Sequence, residues 1–153
     1  MKGTAVSTWI KTSRRKYGDA TVNQALSYVG LPNDKLFSPL DDVDEDLVIK
    51  LFTKLSQLVN VAYGDLWRMM GRENIETFAA DYPGFFRQAS VYQFLKSMND
   101  VHVVVVKRFP GAKPPRLDMV TLNSRQATFT YSSRRGMFDY FLGLVDGAAK
   151  AFY

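Results

Sequence analysis

The spacing of apolar residues changes once along the chain, at "FPGAKPP" (109–115), and this change constrains the fold most. Before it, apolar residues recur every three or four positions, as in "VIKLFTKLSQLV" (48–59), which places them on one face of a helix. After it, "RLDMVTLNSRQATFTYSS" (116–133) alternates and contains a turn signal at Asn123–Ser124, which is typical of a β-hairpin. We therefore predict helices, then one hairpin, then a last helix.

The predicted class is α+β, with a mostly helical N-terminal part packed on a small antiparallel hairpin and a C-terminal helix. The valine run "VHVVVV" (101–106) favours a strand by propensity alone. Helical spacing nevertheless extends back from it to Val91, and it indicates a helix. The predicted helices are Ala5–Tyr17, Ala20–Val29 with Asp19 as N-cap, and helices starting near Asp44, after Gly64, near Ser90 and near Gly136.

The composition and charge of the chain exclude some kinds of site and make others less favoured. The 153 residues fit one domain, and the absence of cysteine excludes disulfides and thiolate metal sites. A net charge of +5 permits nucleic-acid binding, but the basic residues are scattered in short groups such as "RRK" (14–16), which favours an ordinary solvated surface. There is no signal-peptide apolar region and no run long enough to span a membrane, so we expect a cytoplasmic protein without a membrane segment.

The only histidine, His102, lies on the predicted apolar face four residues after Met98. Nothing in the spacing supports a Ser-His-Asp arrangement, and a bare zinc ion needs three or four protein ligands. Haem brings four nitrogens of its own and can take a single axial ligand from the protein. Structural burial of His102 in a core is the alternative.

A second group of polar residues fits the two carboxylates that haem carries. Tyr131, Ser133 and Arg135 are spaced by two, so in an extended segment their side chains point to the same side. A phenol, a hydroxyl and a guanidinium can together bind carboxylates. An ordinary exposed strand end is the alternative.

These residues, taken with "MKGTAVSTWI" (1–10), "NIETF" (74–78), "PPRL" (114–117) and "MFDYFLGLVDG" (137–147), resemble the haem nitric oxide/oxygen-binding (H-NOX) domain over the whole chain. That family supplies bacterial gas sensors and the haem domain of soluble guanylate cyclase. The resemblance implies a single domain, 1–153, with haem b buried between the helical part and the hairpin. It implies a sensor of dioxygen, nitric oxide and carbon monoxide, not an enzyme.

The resemblance also implies roles for individual residues. His102 would be the proximal iron ligand, and Tyr131, Ser133 and Arg135 would bind the propionates. Pro115 would press on the porphyrin and hold it out of plane. The haem pocket would be lined by residues for which plain core packing is the alternative: Met1, Ala5, Trp9, Ile75, Phe78, Leu117 and Leu144.

Tyr140 matches the distal tyrosine of family members that bind dioxygen stably, and Trp9 and Asn74 match its supporting partners. Bound dioxygen carries partial negative charge, which a phenol donor stabilises in a low-dielectric pocket, whereas nitric oxide and carbon monoxide gain less. A buried core tyrosine bonded to the backbone is the alternative. Ala5 stands where related members carry a bulkier aliphatic residue, so the resemblance implies a roomier pocket with altered gas affinities.

The family normally continues with two further strands, so the chain is expected to lack them and to expose a hairpin edge. Nitric oxide weakens the bond opposite to it and could release His102, whereas dioxygen would not. Haem flattening and movement of the helical part against the hairpin would carry the signal to a separate or fused chemotaxis receptor, histidine kinase or cyclic-nucleotide enzyme. The open alternatives are a haem enzyme with nitric oxide or dioxygen chemistry, which would want a second distal imidazole, and a basic nucleic-acid-binding helical domain.

Overall fold

The structure is a computed structural model that describes residues 1–153. It confirms the predicted order of helices, hairpin and last helix, and with it the α+β class. No helix combines the length and the apolar content that crossing a lipid bilayer would require. The elements are α1 (Gly3–Tyr17), α2 (Asp19–Tyr28), α3 (Glu45–Val59), α4 (Tyr63–Asp81), α5 (Val91–Lys96), α6 (Met98–Arg108), β1 (Arg116–Asn123), β2 (Gln126–Ser132) and α7 (Phe138–Phe152), with a 3-10 turn at Pro83–Phe86.

The prediction of one continuous helix from about Ser90 is wrong, because Ser97 separates α5 from α6. Ser90 does cap α5, and its hydroxyl accepts from the amide of Gln93. The Ser97 hydroxyl donates to the carbonyl of Phe94 at 2.8 Å, and its amide is shared between the carbonyls of Gln93 and Phe94. A serine side chain that bonds to the local backbone competes with the helical pattern, and here it ends the first segment.

Two other predicted boundaries are corrected. Gly18, with a φ of 83°, is the N-cap of α2, and Asp19 is the first helical residue; its carboxylate accepts from Arg14 at 3.0 Å instead of capping. The hairpin turn lies at Ser124–Arg125, one position later than predicted. Asn123 remains in β1 because its side-chain oxygen accepts from the amide of Arg125 at 2.8 Å, an Asx-type turn.

The main core lies among α1 to α4. Phe52, Leu66 and Met70 are almost fully buried, and Trp9 meets Trp67 edge-on with ring centroids 4.9 Å apart. Edge-to-face pairs of this kind add stability beyond the area they bury. A smaller cluster of Ile75, Phe94 and Ala148 joins α4, α5 and α7.

Glycines bring α4 and α7 unusually close together. A Cβ atom on Gly143 would clash with the carbonyl oxygen of Arg68, and one on Gly71 would clash with the carbonyl oxygen of Tyr140. A Cβ on Gly147 would lie 2.8 Å from the carbonyl oxygen of Arg72. The backbones can approach only because these positions have no side chain. The contact fixes where α7 presents Tyr140 to α4.

Most residues of the hairpin are exposed. β1 and β2 pair in antiparallel register, with Leu117 opposite Tyr131, and no third strand joins them. Leu117 is the one buried residue of the two strands. Its backbone amide donates to Oδ1 of Asn99 at 3.0 Å, and its carbonyl accepts from Nδ2 of Asn99 at 2.5 Å. The Asn99 carboxamide therefore ties the start of β1 to α6.

Candidate functional site

His102 is placed on α6 with one nitrogen enclosed by the protein. The residue as a whole is partly exposed, but Nδ1 is buried and has no hydrogen-bond partner. Burial lowers the pKa of His102 below 6.5, and the nearby Pro115 carbonyl raises it by a smaller amount. That carbonyl does not form a hydrogen bond with Nδ1. The ring is therefore neutral at physiological pH, the form in which imidazole binds a metal. Because Nδ1 is closed off by the protein, the nitrogen that the ring can offer to a metal is Nε2.

The face of α6 that was predicted to be apolar is partly buried, since Val101, His102 and Val105 are of intermediate exposure. No residue of α6 is fully buried, and Val103, Val104 and Val106 are between 41% and 54% exposed. A cleft of about 360 Å³ adjoins the imidazole. It is lined by Asn99, His102, Val103, Val106, Lys107 and Pro114, and none of the predicted distal residues borders it.

The three residues predicted to bind propionates do not lie in one extended segment, because Tyr131 is in β2, Ser133 follows the strand and Arg135 lies in a turn. Each already has a neighbour. The Tyr131 ring stacks on Phe141 with centroids 4.8 Å apart. The Ser133 hydroxyl accepts from the Arg135 amide at 3.2 Å. The Arg135 guanidinium donates to a Glu45 carboxylate oxygen at 2.7 Å and to the Lys113 carbonyl at 3.0 Å. Arg135 is thus oriented to bind a carboxylate. Sequence reasoning missed Glu45, which has no local pattern to mark it.

The three predicted distal residues are brought together from three helices. Asn74 on α4 is fully buried, and its Nδ2 donates to the Tyr140 hydroxyl oxygen on α7 at 3.1 Å. The Trp9 ring on α1 stands nearly perpendicular to the Tyr140 ring, with centroids 5.6 Å apart. Burial raises the pKa of Tyr140, and hydrogen bonding from Asn74 and then Trp9 only partly opposes that rise. The phenol therefore keeps its proton at physiological pH.

Thr12 extends this distal group, and sequence reasoning missed it. It is 2% exposed, and its hydroxyl donates to Asn74 Oδ1 at 2.7 Å. Its position three residues after Trp9 on α1 puts both side chains on one helix face. That spacing was a signal that could have identified it.

The remaining predicted pocket residues lie on the same elements as these groups. Met1, Ala5 and Tyr140 pack against the main core, and Leu144 packs against the cluster that contains Ile75. Phe78 on α4 and Pro115 before β1 are partly buried, and Leu117 is buried. The predicted pocket residues thus lie on or beside α1, α4, α6, α7 and the start of β1.

Comparison with known proteins supports the family resemblance of the sequence. A family model described as Haem-NO-binding (HNOB) matches residues 2–153. A mutant of the T. tengcongensis H-NOX superposes with a TM-score of 0.93 at 41% identity, covering 99% of this chain and 83% of that one. An oxygen-binding H-NOX domain related to soluble guanylate cyclases, in its oxygen complex, superposes with a TM-score of 0.89 at 41% identity, covering 99% and 81%.

A further relative is similar over a shorter stretch of the chain. Soluble guanylate cyclase 89Da of Drosophila melanogaster is 31% identical over 61 residues. That stretch is 39% of this chain and 9% of the cyclase, so the similarity reaches only a small part of the larger protein.

Proposed function

We propose that this chain, which belongs to the Haem-NO-binding (HNOB) family, senses diatomic gases through haem held on His102. Haem is the cofactor of this fold. When bound it supplies a ferrous iron at which dioxygen, nitric oxide or carbon monoxide binds, with the most negative charge accumulating on dioxygen. The observation that carries the proposal is the partly buried His102 imidazole beside a cleft, in a chain that has no other imidazole and no thiol.

The residues present fit haem. His102 would hold the iron, while Tyr131, Ser133 and Arg135 would hold the propionates, and Arg135 already binds the Glu45 carboxylate. Pro115, whose carbonyl raises the pKa of His102, would lie against the porphyrin. Because His102 is the only histidine, no second imidazole remains for distal acid–base work, which supports a sensor in preference to a haem enzyme.

The direct test of the proposal is the absorbance spectrum of the ferrous protein under argon, dioxygen, carbon monoxide and nitric oxide. We expect a strong Soret band that moves differently with each gas. A protein that stays colourless after exposure to hemin would overturn the proposal. A colourless protein that retards DNA in a gel would favour a nucleic-acid-binding domain instead.

Tyr140 would select for dioxygen. Its hydroxyl oxygen accepts from Asn74, so its own proton remains available to a bound gas. A hydrogen bond to a partly charged acceptor contributes roughly 1.5–3 kcal/mol. In the Tyr140→Phe variant we therefore expect dioxygen to leave the ferrous protein about tenfold to a hundredfold faster in stopped-flow absorbance. Carbon monoxide dissociation should change little.

The matched control is Tyr63→Phe. Tyr63 lies on α4, is partly exposed, and its ring also contacts Trp67, so the variant removes a hydroxyl from a neighbouring aromatic ring. It should leave both dissociation rates as in the wild type. Equal dioxygen dissociation in Tyr140→Phe and the wild type would contradict the distal role.

Arg135 would anchor haem through its propionates. Replacing it with alanine removes the guanidinium that pairs with carboxylate, and we expect haem to pass to excess apomyoglobin several-fold faster than from the wild type. Arg134→Ala removes the same charge from the adjacent exposed position and is the control. Identical transfer rates for the two variants would count against propionate binding by Arg135.

Signal output would pass through α6 and the hairpin. The Asn99 carboxamide joins α6 to the start of β1 only three residues before His102, so movement of His102 would reach the hairpin through that pair of hydrogen bonds. We propose a separate or fused output partner such as a chemotaxis receptor, a histidine kinase or a cyclic-nucleotide enzyme. The similarity to a soluble guanylate cyclase supports the last of these.

A further inference from the structure

Two consecutive hydrogen bonds connect α1 to α7 through Asn74, and both run in the same direction. The Thr12 hydroxyl donates to Asn74 Oδ1 at 2.7 Å, and Asn74 Nδ2 donates to the Tyr140 oxygen at 3.1 Å. In this arrangement the Tyr140 oxygen acts as an acceptor, so the phenol proton takes no part in the chain of bonds. A ligand in the distal pocket can then receive that proton in a hydrogen bond.

The direction of this chain depends on how the Asn74 carboxamide is turned. If it were rotated by half a turn, Oδ1 would face Tyr140 and accept the phenol proton, which would no longer be available to a ligand. Nδ2 would then donate to the Thr12 hydroxyl oxygen. The Thr12 proton would need another acceptor in that state.

In the observed state the Thr12 hydroxyl donates to Asn74 and not to the helix backbone. Two other hydroxyls on α1 donate to the carbonyl four residues earlier, Thr8 to Thr4 at 2.9 Å and Ser13 to Trp9 at 2.8 Å. Thr12 makes no such bond, and Asn74 is its sole hydrogen-bond partner in the structure. Since Thr12 is 2% exposed, solvent is a poor substitute. Rotating Asn74 would break the bond from Thr12 and require that hydroxyl to turn to another acceptor, such as the Thr8 carbonyl four residues earlier, so the bond favours the observed orientation of Asn74.

We propose that Thr12 is a positioning residue: by donating to Asn74 Oδ1 it fixes the orientation of that carboxamide and keeps the Tyr140 proton free for a bound gas. This inference rests on the proposed distal role of Tyr140. Thr12 itself touches neither the ligand nor the cofactor in this scheme, and it acts through Asn74.

The test compares Thr12→Val, which keeps the shape and loses the hydroxyl, with Thr12→Ser, which keeps the hydroxyl. In Thr12→Val we expect dioxygen to leave the ferrous protein about two- to tenfold faster, with carbon monoxide dissociation within about twofold of the wild type. Thr12→Ser should restore the slow rate. In a Tyr140→Phe background, Thr12→Val should not change the dioxygen dissociation rate further, because phenylalanine has no phenol proton to donate.

A second measurement does not depend on dioxygen. In the diamagnetic carbonmonoxy protein, the side-chain amide resonances of Asn74 should shift and exchange faster with solvent in Thr12→Val, and stay near the wild-type positions in Thr12→Ser. If Thr12→Val does not fold, Thr12→Ala provides the same comparison.

The outcomes separate the two claims. If Tyr140→Phe speeds dioxygen dissociation and the hydroxyl-free Thr12 variant behaves as the wild type, the positioning role is overturned while the distal role survives. An equal effect of Thr12→Val with and without Tyr140 would also overturn it, because the effect would then be structural. If Tyr140→Phe itself changes nothing, the proposed distal role has failed.

Discussion

A His102→Gly variant is expected to purify without a Soret band and to regain one when imidazole and hemin are supplied together. The chain has one histidine and no cysteine, so no other imidazole or thiolate can replace the lost ligand. Truncation to glycine leaves a space of the shape of imidazole beside Pro115, and free imidazole can enter it as a ligand. The measurement is the Soret absorbance of the purified variant with and without imidazole.

Glycine also weakens a helix by about 1 kcal/mol, so the loss of haem must be separated from loss of α6. The control is Val104→Gly, which introduces glycine two positions from His102 on α6 and replaces a side chain that is 47% exposed. This control should keep its haem without added imidazole. A His102→Gly protein that retains a full Soret band in the absence of imidazole would show that iron is held elsewhere.

The order of the elements could be predicted because it depends on local patterns. The spacing of apolar residues in 48–59 identified α3, and alternation after Pro115 identified the hairpin. The break at Ser97 could not be predicted in this way, since serine is tolerated inside helices and the apolar spacing continues across it. It ends α5 through hydrogen bonds of its own side chain, which the spacing does not reveal.

Contacts between distant parts of the chain were beyond local patterns. The bonds Thr12–Asn74 and Arg135–Glu45 join residues 62 and 90 positions apart. Asn99 pairs with Leu117 across 18 positions, although both lie in segments whose type was predicted correctly. The roles of Tyr140 and Asn74 were inferred from family resemblance, and the hydrogen bond between them came from the structure.

The close contact of α4 and α7 leads to a prediction at Gly143. A Cβ atom there would clash with the backbone carbonyl of Arg68, which cannot rotate away as a side chain can. In Gly143→Ala the helices must separate, and we expect a loss of about 1–3 kcal/mol in the free energy of unfolding, typical of overpacking. Chemical denaturation of the ferrous carbonmonoxy protein measures it. The control is Gly84→Ala, because a Cβ at Gly84 would meet no atom within 4 Å.

The same separation should impair gas selection, because α7 carries Tyr140 and α4 carries Asn74. The 3.1 Å hydrogen bond between them is near the long end of the ordinary range for N–H···O bonds, so a separation of the helices by a few tenths of an ångström would take it out of that range. We therefore expect Gly143→Ala to speed dioxygen dissociation while carbon monoxide dissociation changes less. A variant that loses stability but keeps the wild-type dioxygen rate would show that the glycine contact supports the fold alone. The other outcome is that Gly143→Ala speeds dioxygen dissociation in the wild type and has little effect in a Tyr140→Phe background. That result would show that the contact acts through the phenol.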